Sequence, residues 1–245
     1  MFYKYETHLH TAEVSKCAKS TAVEMVRGHY EAGYAGIIVT DHFINPDSEQ
    51  WKGLSWEEQV SNFTRGYEIA KAEGDRIGLD VFFGFEYSNR PLGEDYLTYN
   101  IDKQFLLDHP EIVNLSIEEY CKLIKGVGGF ISQAHPYREA WYIKSPASPK
   151  IHLVDAIEVN NGSSDDPDNF NYKAWELARA NPQLIRTSGT DIHQLDHELS
   201  GLGVSGMAFK YKLRDIRHFI EALRAGDGYL IIDGKVTDRE GNIVE

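Results

Sequence analysis

The side chains best suited to metal chemistry are histidines and carboxylates that follow short apolar runs of the chain. They are His8, His10, Asp41, His42, Glu86, His135, Asp191 and His193. In His8-Leu-His10, alternate side chains of an extended segment point to the same side, so both imidazoles can reach one ion. Asp191 and His193 have the same spacing. Several imidazoles combined with carboxylates suit Zn²⁺, Mn²⁺ or Fe²⁺ better than Ca²⁺ or Mg²⁺.

The apolar runs have the pattern of buried β-strands. They cover residues 2–7, 36–40, 80–85, 129–133, 155–159, 184–188 and 229–232. Three residue pairs have the spacing of a capping box, which begins a helix; they are Thr21 with Glu24, Ser55 with Glu58, and Ser116 with Glu119. Further helices are predicted at about 169–180 and 213–224, and residues 45–54 and 87–111 are expected to be longer loops.

Near-continuous apolar strands that alternate with helices indicate an α/β fold with parallel strands covered by helices. The 245 residues suit a single domain over 1–245, since one α/β barrel commonly has about 250 residues. Each candidate ligand falls at the C-terminal end of a strand, and in a parallel barrel these ends share one face. A lone histidine at a strand end usually makes only a hydrogen bond, but five at strand ends predict a metal centre. The other histidines, including His197, are expected at surface or helix positions.

The amino-acid composition argues against several classes of protein function. The formal net charge of −13 argues against a basic surface for long nucleic acid. It is compatible with a small anionic substrate, because bound cations reverse the local potential. The two cysteines, Cys17 and Cys121, predict neither a disulfide framework nor a structural zinc knuckle. No apolar run approaches the roughly 18–20 residues of a membrane span. The first residues also lack the pattern of a secretory signal, so a cytoplasmic protein is expected.

Five segments together resemble the PHP family, named for polymerase and histidinol phosphatase. They are residues 7–11 (THLHT), 38–42 (IVTDH), 84–86 (GFE), 133–136 (QAHP) and 188–193 (SGTDIH), and they occur in family order with family-like spacing. Residues 156–160 (AIEVN) also resemble a family strand. The resemblance implies a distorted, TIM-like (β/α)7 barrel, with up to three metal ions at the C-terminal ends of its strands that serve phosphoester hydrolysis.

The resemblance also implies a ligand set, carried over residue by residue. The implied ligands of the first ion are His8, His10, Glu86 and Asp191. Glu86 would bridge to a second ion that His135 also holds. A third ion would use His42 and His193.

The chain departs from the commonest family pattern after His10. Many members have an aspartate or histidine five or six residues later, where this chain has Ser15 and Lys16. Glu13 or Cys17 could replace that ligand, and Glu13 is the preferred choice. A histidine that some relatives carry near Asp102 is also missing, so occupancy of the third site stays open.

The expected chemistry is hydrolysis of a small phosphomonoester or nucleotide. Two ions about 3.5–4 Å apart can share a water and lower its pKa enough to give hydroxide near neutral pH. Asp191 and His193 are the predicted catalytic residues. Arg138 is the candidate for binding the phosphate through its planar guanidinium, or else is an exposed loop arginine. Asp41 could orient a ligand imidazole, or serve only in a turn or helix cap.

The sequence is compatible with two other functions. An amidohydrolase-type carbon–nitrogen hydrolase also begins with His-x-His on a barrel strand, although Thr40-Asp-His42 and Asp191-x-His193 favour the phosphoesterase. A non-catalytic metal-binding or regulatory domain is the third hypothesis. The native metal, the oligomeric state and the substrate, for which histidinol phosphate is one candidate, are not selected by the sequence.

Overall fold

The computed structural model of the chain describes residues 1–90, 92–144, 147–163, 169–195 and 202–245. Within these residues, ten strands belong to one sheet. The strands are β1 (Tyr3–Leu9), β2 (Gly36–Val39), β3 (Asp80–Asn89), β4 (Glu94–Tyr99), β5 (Phe130–Gln133), β6 (Ala156–Asn161), β7 (Ile185–Gly189), β8 (Ser205–Phe209), β9 (Tyr229–Ile232) and β10 (Lys235–Thr237). The α-helices are α1 (Ala22–Glu31), α2 (Trp56–Phe63), α3 (Arg65–Ile77), α4 (Lys103–Asp108), α5 (Ile117–Gly126), α6 (Asn171–Ala180) and α7 (Ile216–Ala225).

The sheet is mixed, which corrects the expectation of parallel strands throughout. Its order is β10-β9-β8-β1-β2-β3-β4-β5-β6-β7. The pairs β1–β2, β2–β3, β5–β6 and β6–β7 are parallel. Strand β4 runs antiparallel to both neighbours, and β8 to β10 extend the sheet with antiparallel pairs beyond β1.

The predicted loop at 87–111 is wrong for most of its length. Strand β3 continues to Asn89, and the chain reverses into β4 and then forms α4 and a 3₁₀ turn at Pro110–Asn114. The reversal uses Gly93, whose φ of 82° suits glycine. Strand β4 was not predicted because it begins with the charged residues Glu94 and Asp95, which interrupt the apolar pattern expected of a strand. Residues 45–54, in contrast, contain no helix or strand, as expected.

The sheet curls so that its last parallel strand returns toward its first. A parallel bridge joins Leu9, at the end of β1, to Ile192 just after β7. The amide of His10 donates to the carbonyl of Ile192 over 2.9 Å, and the amide of Asp191 donates to the carbonyl of His8 over 2.8 Å. The result is a half-barrel sheet of the TIM-like kind. The seven-unit count remains an expectation, because β4 is antiparallel and β8 to β10 add strands.

Helix starts follow the local sequence closely. All three predicted capping boxes are present, with both reciprocal hydrogen bonds, at Thr21, Ser55 and Ser116. Each box satisfies two amide groups that the first turn leaves without an intrahelical partner. Apolar residues recur at helical spacing from Val60 to Ala70, but they belong to two helices, α2 and α3, which meet at Thr64.

The hydrophobic core contains large aromatic side chains that are fully buried. They include Tyr5, Phe85, Tyr99, Phe130 and Phe209. Burial of each apolar ring contributes on the order of 1.5–3 kcal/mol. The hydroxyl of Tyr99 donates to the carbonyl of Thr7 over 3.0 Å. This bond attaches the core directly to the segment of β1 that carries His8.

No helix in the described ranges combines the length and the apolar character needed to cross a bilayer.

Candidate metal centre

The C-terminal ends of the parallel strands bring the predicted ligands together. His8 lies near the end of β1 and His10 follows it, while Glu86 lies within β3. His135 comes two residues after β5, and Asp191 comes two residues after β7. Parallel strands end at the same edge of a sheet, and the reversal through β4 returns β5 to the direction of β3. Residues from distant parts of the sequence therefore meet at one end of the curled sheet.

Three overlapping groups of side chains could each hold an ion. They are His8 with His10 and Asp191, His8 with Glu86 and His135, and His10 with His42 and His193. Within each group the donor atoms lie within 4.8 Å of one another. The sharing of His8 and His10 between groups makes the cluster a single centre with adjacent sites.

The first two groups are buried and closely spaced. The Nε2 atom of His10 lies 3.1 Å from Oδ1 of Asp191, and Nε2 of His8 lies 3.4 Å from the same oxygen. On the other side, Oε1 of Glu86 lies 3.2 Å from Nε2 of both His8 and His135. Each carboxylate therefore faces two imidazole nitrogens, as expected of ligands that share a cation.

The third group contains imidazoles only, with Cys17 beside it. The ring of His10 lies 4.3 Å, between centroids, from the rings of both His42 and His193. Burial and these two rings lower the pKa of His10 well below its ordinary value. Burial would raise the pKa of the Cys17 thiol, but hydrogen bonding to His193 and His42 lowers it to about 6.

Two buried atoms of the cluster indicate that these residues fit a divalent cation. Among the described residues, Nε2 of His8 and Oε2 of Glu86 have no hydrogen-bond partner. Yet the Nδ1 atom of His42 lies only 2.8 Å from that Glu86 oxygen. Buried polar atoms are almost always hydrogen-bonded, so close donor atoms without hydrogen-bond geometry need another explanation. A cation bound between the lone pairs provides it, and the nitrogen and carboxylate donors suit Zn²⁺, Mn²⁺ or Fe²⁺.

Hydrogen bonds on the far side of three imidazoles leave Nε2 free to face the centre. The Nδ1 atom of His8 lies 3.1 Å from Oε1 of Glu158, and Nδ1 of His193 lies 2.8 Å from the carbonyl of Asp191. The Nδ1 atom of His10 lies 3.3 Å from the hydroxyl of Ser15. Such partners select the tautomer and hold the ring in place for coordination.

Asp41 supports the ring of His10 indirectly. Its carboxylate accepts hydrogen bonds of 2.7 Å from the amide and hydroxyl of Thr11 and from the hydroxyl of Ser15. Because Ser15 donates to Asp41, its oxygen is free to accept from Nδ1 of His10. This arrangement supports the orienting role over the helix-cap role, since Asp41 is the N-cap of none of the described helices.

Opposite charges meet around His8 and Asp191. Burial alone would lower the pKa of His8. Three carboxylates outweigh burial and raise that pKa well above its ordinary value; they are Asp191, Glu158 and Glu86. Burial would raise the pKa of Asp191, but His8 and Arg138 hold it well below its ordinary value. An imidazole must be neutral to bind a metal, so a cation at His8 would compete with a proton for this nitrogen.

Backbone strain accompanies the cluster. His135 has a φ of 26° and Asp191 a φ of 56°, both in the left-handed region that residues other than glycine rarely adopt. Gly189, two residues before Asp191, has no room for a side chain, because an added Cβ would lie 2.5 Å from Cβ of His8. A strained backbone conformation persists only where the surrounding contacts hold it in place. Such conformations are common at functional sites.

Arg138 lies inside the centre and is only 9% exposed, so it is not an exposed loop arginine. One terminal nitrogen donates to Oδ2 of Asp191 over 2.6 Å and lies 3.2 Å from the side-chain oxygen of Asn161. The Nε atom donates to Asn169 over 2.6 Å. The other terminal nitrogen contacts the hydroxyl of Tyr142 at 3.3 Å, and the pKa of Arg138 is raised by Asp191 and Tyr142 against the effect of burial.

The structure does not bring Glu13 to the centre, which corrects the preference for Glu13 over Cys17. Its carboxylate accepts a hydrogen bond of 2.9 Å from the amide of Ala22, the first residue of α1. A carboxylate at a helix N-terminus satisfies a free amide and interacts favourably with the helix dipole. Cys17, whose thiol interacts electrostatically with His42 and His193, is the better placed candidate. Asp102 caps α4 by accepting from the amide of Phe105, and His197 lies outside the described residues.

Replacing Glu13 with alanine is expected to lower the free energy of unfolding by about 1 kcal/mol, because the first turn of α1 loses an acceptor. Metal content should not change. Cys17→Ala is the matched variant and should instead weaken the binding of one cation. Urea unfolding and elemental analysis of both proteins measure the two effects. Metal loss in the Glu13 variant would return Glu13 to the ligand set.

Sequence reasoning missed two buried carboxylates of the centre. Glu158 contacts His8 through one oxygen, and its other oxygen accepts from the amide of His135 over 3.0 Å. Its signal was a charged residue inside the apolar stretch 156–159, since an unpaired buried charge is costly. Asp95 lies 3.8 Å from Nε2 of His135. It is the second residue of a strand that was not predicted, so no strand-end pattern pointed to it.

Comparison with known proteins gives matches in structure only. No family sequence model matches the chain, and no curated protein sequence matches it. The fold is similar to that of a two-domain protein from Bacteroides vulgatus containing a predicted PHP-like metal-dependent phosphoesterase, with a TM-score of 0.70 and 18% identity. The match covers 96% of this chain and 66% of that one, just under two thirds of its length.

Two further structures have a similar fold. A predicted metal-dependent phosphoesterase from Bifidobacterium adolescentis matches with a TM-score of 0.57 and 14% identity, over 90% of this chain and 96% of that one. An amidohydrolase from Chromobacterium violaceum, with bound sulfate and no metal, matches with a TM-score of 0.53 and 15% identity, over 80% and 90%. The PHP-like resemblance predicted from the sequence motifs is thus confirmed at the level of the fold.

Proposed function

We propose that residues 1–245 form a single hydrolase domain that cleaves a small phosphomonoester or nucleotide at a centre for two or three divalent cations. The observation that carries this proposal is the overlap of three ligand groups through His8 and His10. Overlapping groups suit adjacent cations, which is the arrangement that phosphoester hydrolysis uses. The similarity in fold to predicted PHP-like phosphoesterases supports the same reaction class.

The proposed ligands follow the three groups. The first cation would be held by His8, His10, Glu86 and Asp191. Glu86 and His135 would hold the second, and His42 and His193 the third, with His10 between the third site and the first. We propose Zn²⁺, Mn²⁺ or Fe²⁺ because of the high share of imidazole donors.

The bound cations would supply Lewis-acid activation of water and stabilisation of negative charge on phosphoryl oxygens. The chain supplies orientation. Glu158 and the pair formed by Asp41 and Ser15 hold the rings of His8 and His10, so the donor atoms need little rearrangement on binding. Asp191 and His193 are the proposed catalytic pair, because the carbonyl of Asp191 orients the His193 ring at the more open side of the centre.

The charge of the chain favours a small substrate. With a net charge of −13, the surface repels long nucleic acid, whereas the cations and Arg138 provide local positive charge for one phosphate group. Arg138 is proposed to act on the phosphate through the terminal nitrogen next to Tyr142. The other nitrogens are occupied by Asp191, Asn161 and Asn169.

A carbon–nitrogen hydrolase is the alternative reaction, and the similarity in fold to an amidohydrolase favours including it. One screen separates the two. Protein loaded in turn with Zn²⁺, Mn²⁺ or Fe²⁺ is offered phosphomonoesters, nucleotides, amides and lactones. Phosphate release that is lost in Asp191→Asn supports the phosphoesterase. Amide or lactone hydrolysis without phosphate release contradicts it, and tight metal binding without any hydrolysis supports a non-catalytic domain.

Replacing Arg138 with alanine is expected to lower kcat/KM for the best ester by about 10- to 100-fold, since Asp191 loses its guanidinium partner and the phosphate loses a donor. Arg138→Lys keeps the charge but not the planar fork, so only part of the activity should return. Steady-state kinetics on both variants measure the effect. Arg217→Lys, on the exposed face of α7, is the control. Wild-type kinetics in Arg138→Ala would exclude this role.

A further inference from the structure

A buried carboxylate that the ligand set does not include lies at the edge of the centre. Asp95, the second residue of β4, is 5% exposed. It pairs with Ser88 of β3, while Glu86 pairs with Leu97. Directly opposed residues of an antiparallel pair project to the same face, and so do residues two apart on one strand. Asp95 and Glu86 therefore share the face of the sheet that meets His135.

Hydrogen bonds hold Asp95 in one orientation. The hydroxyl of Ser88 donates to Oδ1 over 2.5 Å, and the main-chain carbonyl of Asp95 accepts from the amide of Ala134 over 3.0 Å. The other carboxylate oxygen, Oδ2, faces Nε2 of His135 at 3.8 Å. That nitrogen is the one that also lies 3.2 Å from Glu86. Ser88 thus fixes one oxygen and leaves the second directed at the Glu86–His135 group.

The distance between Asp95 and His135 shows that the two side chains are close but not hydrogen-bonded to each other. At 3.8 Å it exceeds a hydrogen bond, and in the described part of the chain no lysine or arginine lies within ion-pair distance of Asp95. A buried carboxylate is expensive unless it is paired or coordinates a metal. A gap of this size between oxygen and nitrogen is compatible with a cation bound to both.

We propose that Asp95 is a ligand of the cation held by Glu86 and His135. This inference rests on the proposed metal-dependent function. It assigns two carboxylates to that site, whereas the group of His10, His42 and His193 consists of imidazoles with the Cys17 thiol beside it. Carboxylate oxygens favour Mn²⁺, and imidazole-rich sites favour Zn²⁺. The two sites of one centre should therefore differ in metal preference.

The test measures metal binding rather than turnover. Metal-free protein is titrated with Mn²⁺, followed by calorimetry and by the electron paramagnetic resonance signal of the free ion. Asp95→Ala and Asp95→Asn should each lower the affinity of one Mn²⁺ site by at least about tenfold. Zn²⁺ binding at the imidazole-rich site should remain as in wild type. Asp95→His should keep the site but shift its preference from Mn²⁺ toward Zn²⁺.

Glu94→Gln is the matched control, because Glu94 is the adjacent carboxylate on the opposite face of β4. It accepts from Asn89 and Tyr96 and lies 3.8 Å from Nζ of Lys150. This variant should bind Mn²⁺ as wild type does. Circular dichroism on all variants checks that the fold is retained, and Asp95→Asn preserves an acceptor for Ser88 if the alanine variant does not fold.

The outcomes distinguish a failure of the Asp95 assignment from a failure of the proposed function. Wild-type Mn²⁺ affinity in folded Asp95→Ala and Asp95→Asn would overturn the assignment of Asp95 and leave the proposed function standing. A wild-type protein that binds neither Mn²⁺ nor Zn²⁺ would overturn both. Loss of one Mn²⁺ site in the Asp95 variants, with the Glu94 control unaffected, supports the assignment.

Discussion

Replacing Asp191 with asparagine is expected to lower kcat by at least about 10³-fold and to reduce the metal content, while the fold is retained. Asp191 faces the imidazoles of His8 and His10 at 3.4 and 3.1 Å, so its charge is central to the first site. Asparagine has nearly the same volume but no negative charge. Turnover of the best ester and elemental analysis of the purified variant measure the two losses.

Asparagine is the appropriate substitution here because of the backbone. Asp191 has a φ of 56°, and asparagine tolerates the left-handed region better than other residues with a side chain. Its side-chain oxygen can also still accept from Arg138, which avoids an unpaired buried guanidinium. The thermal unfolding midpoint should therefore change little when both proteins are compared free of metal.

Asp233→Asn provides a control with the same chemistry. Asp233 has a φ of 50° and lies exposed between β9 and β10. The same change of charge in a similar backbone conformation should leave both kcat and metal content unaltered. Full activity in Asp191→Asn would show that this cluster of histidines and carboxylates is not the site of hydrolysis.

Removing the metals with a chelator is expected to abolish hydrolysis and to lower the thermal unfolding midpoint by about 5–10 °C. A ligand present at about 100 times its Kd stabilises the folded state by about 2.7 kcal/mol, and each kcal/mol is worth about 2–4 °C in a chain of this size. The physical reason is the cluster of buried donors, of which Nε2 of His8 and Oε2 of Glu86 lack hydrogen-bond partners among the described residues. Scanning calorimetry and a phosphate assay before and after chelation give both values.

Readdition of cations distinguishes the centre from nonspecific binding. Zn²⁺, Mn²⁺ or Fe²⁺ should restore both activity and the unfolding midpoint, whereas Ca²⁺ should restore neither, because it prefers six to eight oxygen ligands. A chelated protein with unchanged activity and unchanged midpoint would contradict a metal-dependent reaction.

The sequence alone determined the features that depend on neighbouring residues. The capping pairs at Thr21, Ser55 and Ser116 begin helices as predicted, because those hydrogen bonds form within one turn. The two-residue spacing of His8 and His10 directs both rings toward one region, because side chains alternate along a strand. Ligand type was therefore readable in advance. Strand-end position was readable too, except for Glu86, which lies within β3 because that strand continues to Asn89.

Tertiary structure alone decided which distant side chains complete the centre. Asp95 reaches His135 because an antiparallel strand starts, rather than ends, at the edge where parallel strands end. Glu13 instead turns to the first amide of α1, although it was the preferred replacement for the family ligand after His10. These outcomes depend on strand order and on competing hydrogen-bond partners far along the chain. Such contacts leave no periodic pattern in the sequence, because they are set by how the elements pack and not by their local spacing.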